Sequence, residues 1–359
     1  MKTNATTSET ILSNTFGRSL GRLCRAGAAA LALLGGASTA LAETHAIIPT
    51  NPATVVSGTT KAVAVDSAYH FIYTVNGSQQ VQVTFVDNNK WVTAPLGVGQ
   101  PVKADSKLYT DSSYHYLYYV GANNRLWVWY VNNGAWANGQ LHPTEVATDL
   151  VGVDSSLHYL WFRNAGQLRV LYFNGSAWAA LPSGVTDYDG PWGGAVDEVS
   201  HGVYWNDATA LSLRGLFFTG RAYLERTLDT NVFGGARPAV HQGTGEIYSV
   251  DNSLRALFRE LPNFSFLRQN VSISGGSDAT QGNATLAVNP VTGKVIYGNA
   301  VAPPGGVTVL TPSGPGPGTI WTRSSVTGTN THAVIYCALD NVYGWYFYTG
   351  SDNTLHIVF

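Results

Sequence analysis

Two sets of residues in this chain have types and spacings suited to chemistry. The first is an Asp-x-x-x-His pair that occurs as Asp66/His70, Asp111/His115, Asp154/His158 and Asp197/His201. Such pairs can ligate a metal or move a proton. They recur in consecutive stretches at the same place, however, whereas a catalytic site is normally built once. A short Asp in a turn accepts backbone N–H bonds and a histidine can tie two strands, so the pairs read as structural fasteners. The second set is basic. Arg169, Arg214 and Arg255 hold one position in successive alternating segments, in the series Gln82, Trp127, Arg169, Arg214, Arg255, Thr308, His356. A guanidinium fork there can bond backbone carbonyls between neighbouring units, or the ring hydroxyls of a polyol. Aromatic rings beside it would then cover the sugar's apolar C–H face.

Other chemistry has less support. Asp187, Asp189, Asp197 and Glu198 surround the Trp192-Gly193-Gly194 loop. They form the best local carboxylate cluster for glycoside hydrolysis, although acidic surface loops are commonly just solvated. The chain contains no G-x-S-x-G elbow, H-E-x-x-H helix, P-loop or dinucleotide fingerprint. Cys337 lies in the apolar run Ala333–Leu339, where a thiol behaves as a small buried hydrophobe. No catalytic residue, metal site or cofactor is expected.

What must position these residues is a repeat. The aromatic residues ending the first strand of each unit are Tyr73, Tyr118, Trp161, Tyr204, Tyr248, Tyr297 and Tyr336, a period near 44 residues. After each runs a segment with a period-two apolar face, such as Leu126/Val128/Tyr130 or Leu168/Val170/Tyr172. That pattern is a strand half buried against a neighbour. Six residues further stand Trp91, Trp136, Trp178, Tyr223 and Phe264, with Trp321 later in the sixth unit. Four short strands in about 44 residues is the signature of a propeller blade. The expected fold is therefore all-β, a seven-bladed β-propeller. The last unit lacks a final strand, so Ala46–Thr60 is expected to complete it and close the ring. Gly275–Asn283 and Pro303–Gly318 read as loops around the sixth blade.

The 359 residues carry a formal net charge of -2 and only 12% charged residues, with no basic block. Nucleic acid and anionic membranes are therefore poor partners. At the start, Arg18, Arg22 and Arg25 precede the short apolar run Ala26–Gly36 and the A-x-A sequence Ala40-Leu41-Ala42. This reads as a Sec-type signal peptide over 1–42, followed by one propeller domain over 43–359, with a secreted or periplasmic destination. With Cys337 as the lone cysteine after residue 42, no disulfide can form within the mature chain.

The second and third units carry a resemblance. His115-Tyr-Leu-Tyr118 with Gly134-Ala-Trp136, and His158-Tyr-Leu-Trp161 with Leu168-Arg169 and Gly175-Ser-Ala-Trp178, resemble blades of secreted β-propeller lectins of the fungal fucose-binding and tectonin-like kinds. The resemblance implies a non-catalytic carbohydrate binder with repeated inter-blade sites whose weak affinities add through multivalency. By this resemblance Arg169 and Arg255 match the sugar-binding arginine, with Arg214 beside them in the same series, and Trp136 and Trp178 match the aromatic platform. Trp127 stands in the arginine slot of its own unit as a further aromatic contact. Val170 and Ala256 stand where fucose lectins carry glutamate, so the implication extends to glycans as a class. Two alternatives stay open: a propeller hydrolase or lyase acting on polysaccharide at the central axis, and an envelope scaffold binding protein partners.

Overall fold

A computed structural model describes residues 43–48, 62–191, 193–219, 221–230, 232, 236–250, 254–260, 265–270, 272–273, 285–299, 306–314, 316, 319–329 and 333–359. Strand β1 is His45–Ile47. The first unit contains β2 (Val63–Asp66), β3 (Phe71–Val75), β4 (Val81–Asp87) and β5 (Lys90–Pro95). The second contains β6 (Tyr109–Asp111), β7 (Tyr116–Val120), β8 (Leu126–Asn132) and β9 (Ala135–Gln140). The third has β10 (Asp149–Asp154), β11 (Tyr159–Asn164), β12 (Gln167–Phe173) and β13 (Trp178–Pro182). The fourth has β14 (Gly194–Asp197), β15 (Gly202–Asp207), β16 (Ser212–Phe218) and β17 (Tyr223–Thr230). The fifth has β18 (Ala239–Val240), β19 (Ile247–Val250), β20 (Leu254–Glu260) and β21 (Ser265–Asn270). Next come β22 (Ser272–Ile273), β23 (Thr285–Val288), β24 (Val295–Asn299), β25 (Gly306–Pro312) and β26 (Ile320–Ser325). The last strands are β27 (Val334–Leu339), β28 (Tyr346–Gly350) and β29 (Leu355–Val358).

Within each unit the strands pair as an antiparallel meander, and β22 adds to β26 in parallel. The first strands of successive units are neighbours, in the cycle β2, β6, β10, β14, β18, β23, β27 and back to β2. Sheets arranged radially about an axis, inner strand to inner strand, make the chain an all-β β-propeller. The inner strands enclose a central channel of about 340 Å³. The physical reason for the ring is the one read from the repeat: a single meander has apolar faces it cannot hide, and each neighbour covers one.

The second aromatic of five repeats, among the described residues, does that covering. Trp136 meets Tyr73 of the preceding unit edge-on at 6.2 Å, Trp178 meets Tyr118 at 6.3 Å, and Tyr223 meets Trp161 at 5.4 Å. Trp321 and Tyr248 repeat the contact at 5.9 Å, and Trp91 and Phe347 at 6.3 Å. T-shaped pairs place the positive edge of one ring on the negative face of the other. Trp136 and Trp178 are thus packing groups between units.

Three expectations need revision. The strand that completes the last sheet is β1, with Ala46 opposite Ile357, while residues 49–61 lie outside the described residues. Of the expected loops, Gly306–Pro312 is strand β25, and Gly275–Asn283 lies outside the described residues. The repeat marker in the last two units is displaced. Ala64 pairs with Tyr73, and the equivalent pairs are Ala287 with Ile296 and Ala338 with Phe347. Tyr297 is therefore one residue out of register, and Tyr336 lies in inner strand β27. The proposed leader, residues 1–42, lies outside the described residues.

The clasp between β1 and β29 is reinforced on both sides. Ile48 is fully buried beside Val63, Ile72 and Phe347, and its N–H donates to the Leu355 carbonyl at 3.0 Å. Glu43 receives the Lys294 ammonium at 2.7 Å. Ile48→Asp should therefore lower unfolding free energy by about 3 kcal/mol, the scale of losing a buried aliphatic and stranding a charge. The midpoint of urea unfolding, followed by tryptophan fluorescence, checks this.

Candidate functional site

The Asp-x-x-x-His pairs do not converge on a metal. Asp66, Asp111 and Asp154 each use one oxygen for their own turn and the other for the next unit, whereas both oxygens of Asp197 serve its own turn, Oδ2 accepting the Ser200 hydroxyl. Asp111 Oδ1 accepts the Ser113 and Tyr114 N–H groups at 2.9 and 3.2 Å, and its Oδ2 meets His158 Nδ1 at 2.7 Å. The same inter-unit bond joins His115 to Asp66 at 2.8 Å and His201 to Asp154 at 2.8 Å. His70 reaches Asp340 of the last unit at 2.6 Å, carrying the fastener across the point where the ring closes. Tyr114 stacks on His158 with ring centroids 3.6 Å apart, and Tyr343 on His70 at 4.1 Å.

Backbone geometry explains why this turn has its particular residues. His70, His115, His158 and His201 all have φ between 56° and 59°. A side chain costs about 1–2 kcal/mol in that left-handed region, and glycine avoids the cost. Units five, six and seven use glycine there: Gly245, Gly293 and Gly344, at φ 71°, 68° and 74°. In those units His241, Asn289 and Asp340 take the aspartate's part and accept the turn N–H groups. The turn is thus common to all units, and the inter-unit bond belongs only to those with histidine.

The strand position shared by Gln82, Trp127, Arg169, Arg214, Arg255, Thr308 and His356 is real: each pairs with the residue after the repeat marker. What occupies it is engaged locally. Gln82 donates to Thr74 Oγ1 at 3.0 Å, and Trp127 Nε1 donates to Asn123 Oδ1 at 3.1 Å. Arg169 pairs with Glu145 at 2.8 Å. Arg214 meets Asp187 at 3.2 Å, Asp207 at 3.1 Å and Glu225 at 2.9 Å. Glu145 and Asp187 belong to the connections that enter units three and four, so each guanidinium anchors an incoming connection. The partners are carboxylates, where the sequence suggested carbonyls or a ligand. Arg255 lies in β20, and its side chain is outside the described residues.

The carboxylate cluster does not form a pair for hydrolysis. Asp187 serves Arg214, and Asp189 accepts the Thr209 hydroxyl at 2.6 Å at the strand-entry side. Asp197 and Glu198 stand at the opposite end of β14, in the turn, where Asp197 accepts the Val199 N–H at 3.0 Å. Cys337 is half-buried on the channel wall, and burial pushes its thiol above the ordinary value.

One cleft between units is open. A cavity of about 260 Å³ lies between units five and six, with Tyr248 and Trp321 at its base. His241, Thr244, Glu246, Thr292, Ser313 and Thr319 supply polar groups around it. Its origin is a missing side chain. Gly293 stands where the first four units carry the fastening histidine, so nothing from unit six fills the space beside His241. A Cβ on Gly293 would stand 4.0 Å from His241 Nε2. His241 Nδ1 accepts the Gly243 and Thr244 N–H groups, which leaves the ring proton on Nε2 as a donor. Glu246 accepts the Tyr248 hydroxyl at 2.8 Å through Oε2 and keeps Oε1 as an acceptor. Burial, followed by the Glu246 charge, holds Tyr248 far above its ordinary pKa, so that hydroxyl stays protonated. Donor and acceptor over an aromatic base suit a polar, hydroxylated ligand. The sequence signal for this cleft was the substitution of histidine by glycine, which removes a motif instead of adding one.

Two substitutions test these assignments. His115→Ala keeps the left-handed strain and loses the bond to Asp66, whereas His115→Gly loses only the bond. Urea unfolding should place the alanine variant about 1 kcal/mol below the glycine variant. Arg214→Ala leaves Asp187, Asp207 and Glu225 facing one another, and burial already holds Glu225 above the usual carboxylate range. The folded pKa of Glu225 then rises further above the unfolded one, so the variant's stability falls as pH rises through that window. A deficit of about 3 kcal/mol at pH 7, shrinking towards pH 4, is expected in unfolding curves taken across that range.

No protein-family model matches the chain, and neither does any curated protein. Among solved structures, the chain is similar to the crystal structure of the RRP9 WD40 repeats, with TM-score 0.58 and 9% sequence identity over 89% of this chain and 98% of that one. At that identity the likeness is one of fold, and it agrees with the radial arrangement of sheets in assigning a β-propeller.

Proposed function

We propose that this chain is an exported, non-catalytic β-propeller of seven blades that binds glycan in a cleft between blades. The blade count is supported by the cycle of inner strands, from β2 through β27 and back to β2. Export is supported by the basic, apolar and A-x-A segments of residues 1–42. The observation that carries the binding reading is the open cleft at His241, Thr244 and Glu246. It combines a ring N–H donor, a carboxylate acceptor and several hydroxyls with room for about one sugar ring. Arg169 and Arg214, with Trp127, Trp136 and Trp178, belong to this reading as groups at the other junctions between units, and Arg255 belongs to it by its place in the same strand series. Arg169 and Arg214 keep guanidinium N–H groups beyond those given to carboxylates.

A second reading, a scaffold for protein partners, is favoured by the turn face. Tyr114, Leu157, Val199, Val291, Val342 and Tyr343 are all exposed in the turns that follow the inner strands. A ring of exposed apolar side chains on one face marks an interaction surface.

Glycan-array screening followed by calorimetric titration of the best sugar separates the two. The glycan reading expects saturable binding that weakens at least tenfold in His241→Ala and in Glu246→Gln, the glutamine variant with an unchanged thermal midpoint. Absence of binding across a broad panel, or binding indifferent to both substitutions, would overturn it in favour of the scaffold.

A further inference from the structure

The turns that follow the inner strands surround one end of the central channel, and their side chains sort into a mouth and a rim. The residue after the turn acceptor faces the axis: Ser67, Ser112, Ser155, Glu198, Gln242 and Asn341 line the channel there. The next one or two residues of the turns stand outside that polar mouth. Tyr114, Leu157, Val199, Val291, Val342 and Tyr343 are exposed at those places and make the rim apolar. Two of the rim's rings are fixed. Tyr114 stacks on His158 and Tyr343 on His70, and those imidazoles are bonded to Asp111 and Asp340. A partner meeting such a rim has little left to immobilise.

The charge of this face has one sign. The turn segments 66–70, 111–115, 154–158, 197–201, 241–245, 289–293 and 340–344 hold Asp66, Asp111, Asp154, Asp197, Asp340 and Glu198, with no lysine or arginine. The aspartates are buried and bonded within the turns. Glu198 differs in facing the channel. Its Oε1 accepts the Ser155 N–H at 3.1 Å, and its own N–H donates to Gln242 Oε1 at 2.9 Å. The carboxylate is thereby held in place, while Oε2 has no hydrogen-bond partner and no cation beside it among the described residues. Burial raises this carboxyl above its usual range against the Ser155 bond, and the charges of Asp154 and Asp111 add to the rise. The mouth therefore presents a half-buried carboxyl group that lacks a counter-ion, inside an apolar rim.

We propose that the turn face docks a protein segment whose Lys or Arg side chain enters the channel mouth and pairs with Glu198, while apolar residues beside it meet the rim. The inference rests on the scaffold reading for its surface, adds the partner's chemistry, and is independent of the sugar cleft. Charge complementarity selects the occupant. A second copy of the same face would set carboxylate against carboxylate, and an anionic lipid surface would set phosphate against it. An ammonium or guanidinium instead forms a charge-assisted hydrogen bond with Oε2. A basic anchor enclosed by aromatic and aliphatic contacts that exclude water is the make-up of an interface hot spot.

Selection of random short peptides displayed on phage against the immobilised full chain tests this, followed by calorimetric titration of the best binder. Enriched peptides should share one Lys or Arg flanked by apolar residues. Replacing that residue by uncharged citrulline or norleucine should weaken binding at least tenfold. Glu198→Gln keeps an acceptor for the Ser155 N–H and should weaken binding at least tenfold as well. Val199→Lys places a cation on the exposed rim and should have the same effect; it decides if Glu198→Gln does not fold. Enriched peptides without a basic residue, or binding indifferent to both substitutions, would overturn the proposal and leave the scaffold reading standing. No enrichment at all would overturn both, and binding to phosphatidylcholine vesicles in its place would assign the face to a lipid surface. Glu246→Gln leaves the mouth untouched, so peptide binding should survive in it whether or not sugar binding does.

Discussion

The structure depends on one tight turn that does two jobs at once. At the end of each inner strand, an acceptor side chain gathers the N–H groups two and three residues ahead, and the chain then passes through a left-handed residue. That residue is the constraint. If it is histidine, its strained backbone aims an imidazole at the aspartate of the preceding unit, and the bond offsets the strain. If it is glycine, the turn forms without strain and the neighbour is left without that bond. Lateral cohesion then rests on other contacts: the edge-on aromatic pairs, such as Trp321 on Tyr248, and, between units four and five, the bonds of Gln242 to the Val196 carbonyl and the Glu198 N–H. The same local geometry thus supports both a sealed junction and an open one.

Much of the fold was legible in the sequence because its signals are local and repeated. Aspartate and histidine four apart, alternating strands, and a tryptophan six residues later are each short-range patterns. Their repetition outweighs the ambiguity of any single one. The misassigned markers show the limit. Tyr297 and Tyr336 are aromatic residues near the expected place, but the register positions hold Ile296 and Phe347. Side chains alternate across a strand, so a slip of one residue exchanges the two faces, and chemical type alone does not reveal it. Asp340 is hidden in the sequence because its own turn ends in Gly344 instead of histidine.

The chemistry was less legible for a related reason. Arg169 and Arg214 were correctly grouped, yet their partners, Glu145 and Asp187, lie 24 and 27 residues earlier in the chain and carry no motif. Nothing in a linear pattern distinguishes a guanidinium already committed to a carboxylate from one awaiting a ligand. Arg237 is the converse case. It belongs to no repeat, and in the structure it donates to the Gly194 carbonyl of the neighbouring unit and lies over the Tyr109 ring. The open cleft was equally hidden, since a glycine in place of a histidine reads as ordinary turn chemistry.

The pairing of β1 with β29 has a consequence for how the molecule comes into being. His45 lies opposite Val358, so a strand that precedes the first unit is paired with the outermost described strand of the last one. Loop-closure entropy rises only slowly with separation, so the contact is affordable once both ends exist. It cannot form earlier. During synthesis every length that stops short of β29 is an open arc with two uncovered flanks. The clasp therefore acts as a test of completeness: a chain cut short before Leu355 lacks the partner for β1 and remains exposed to proteases that a closed ring resists.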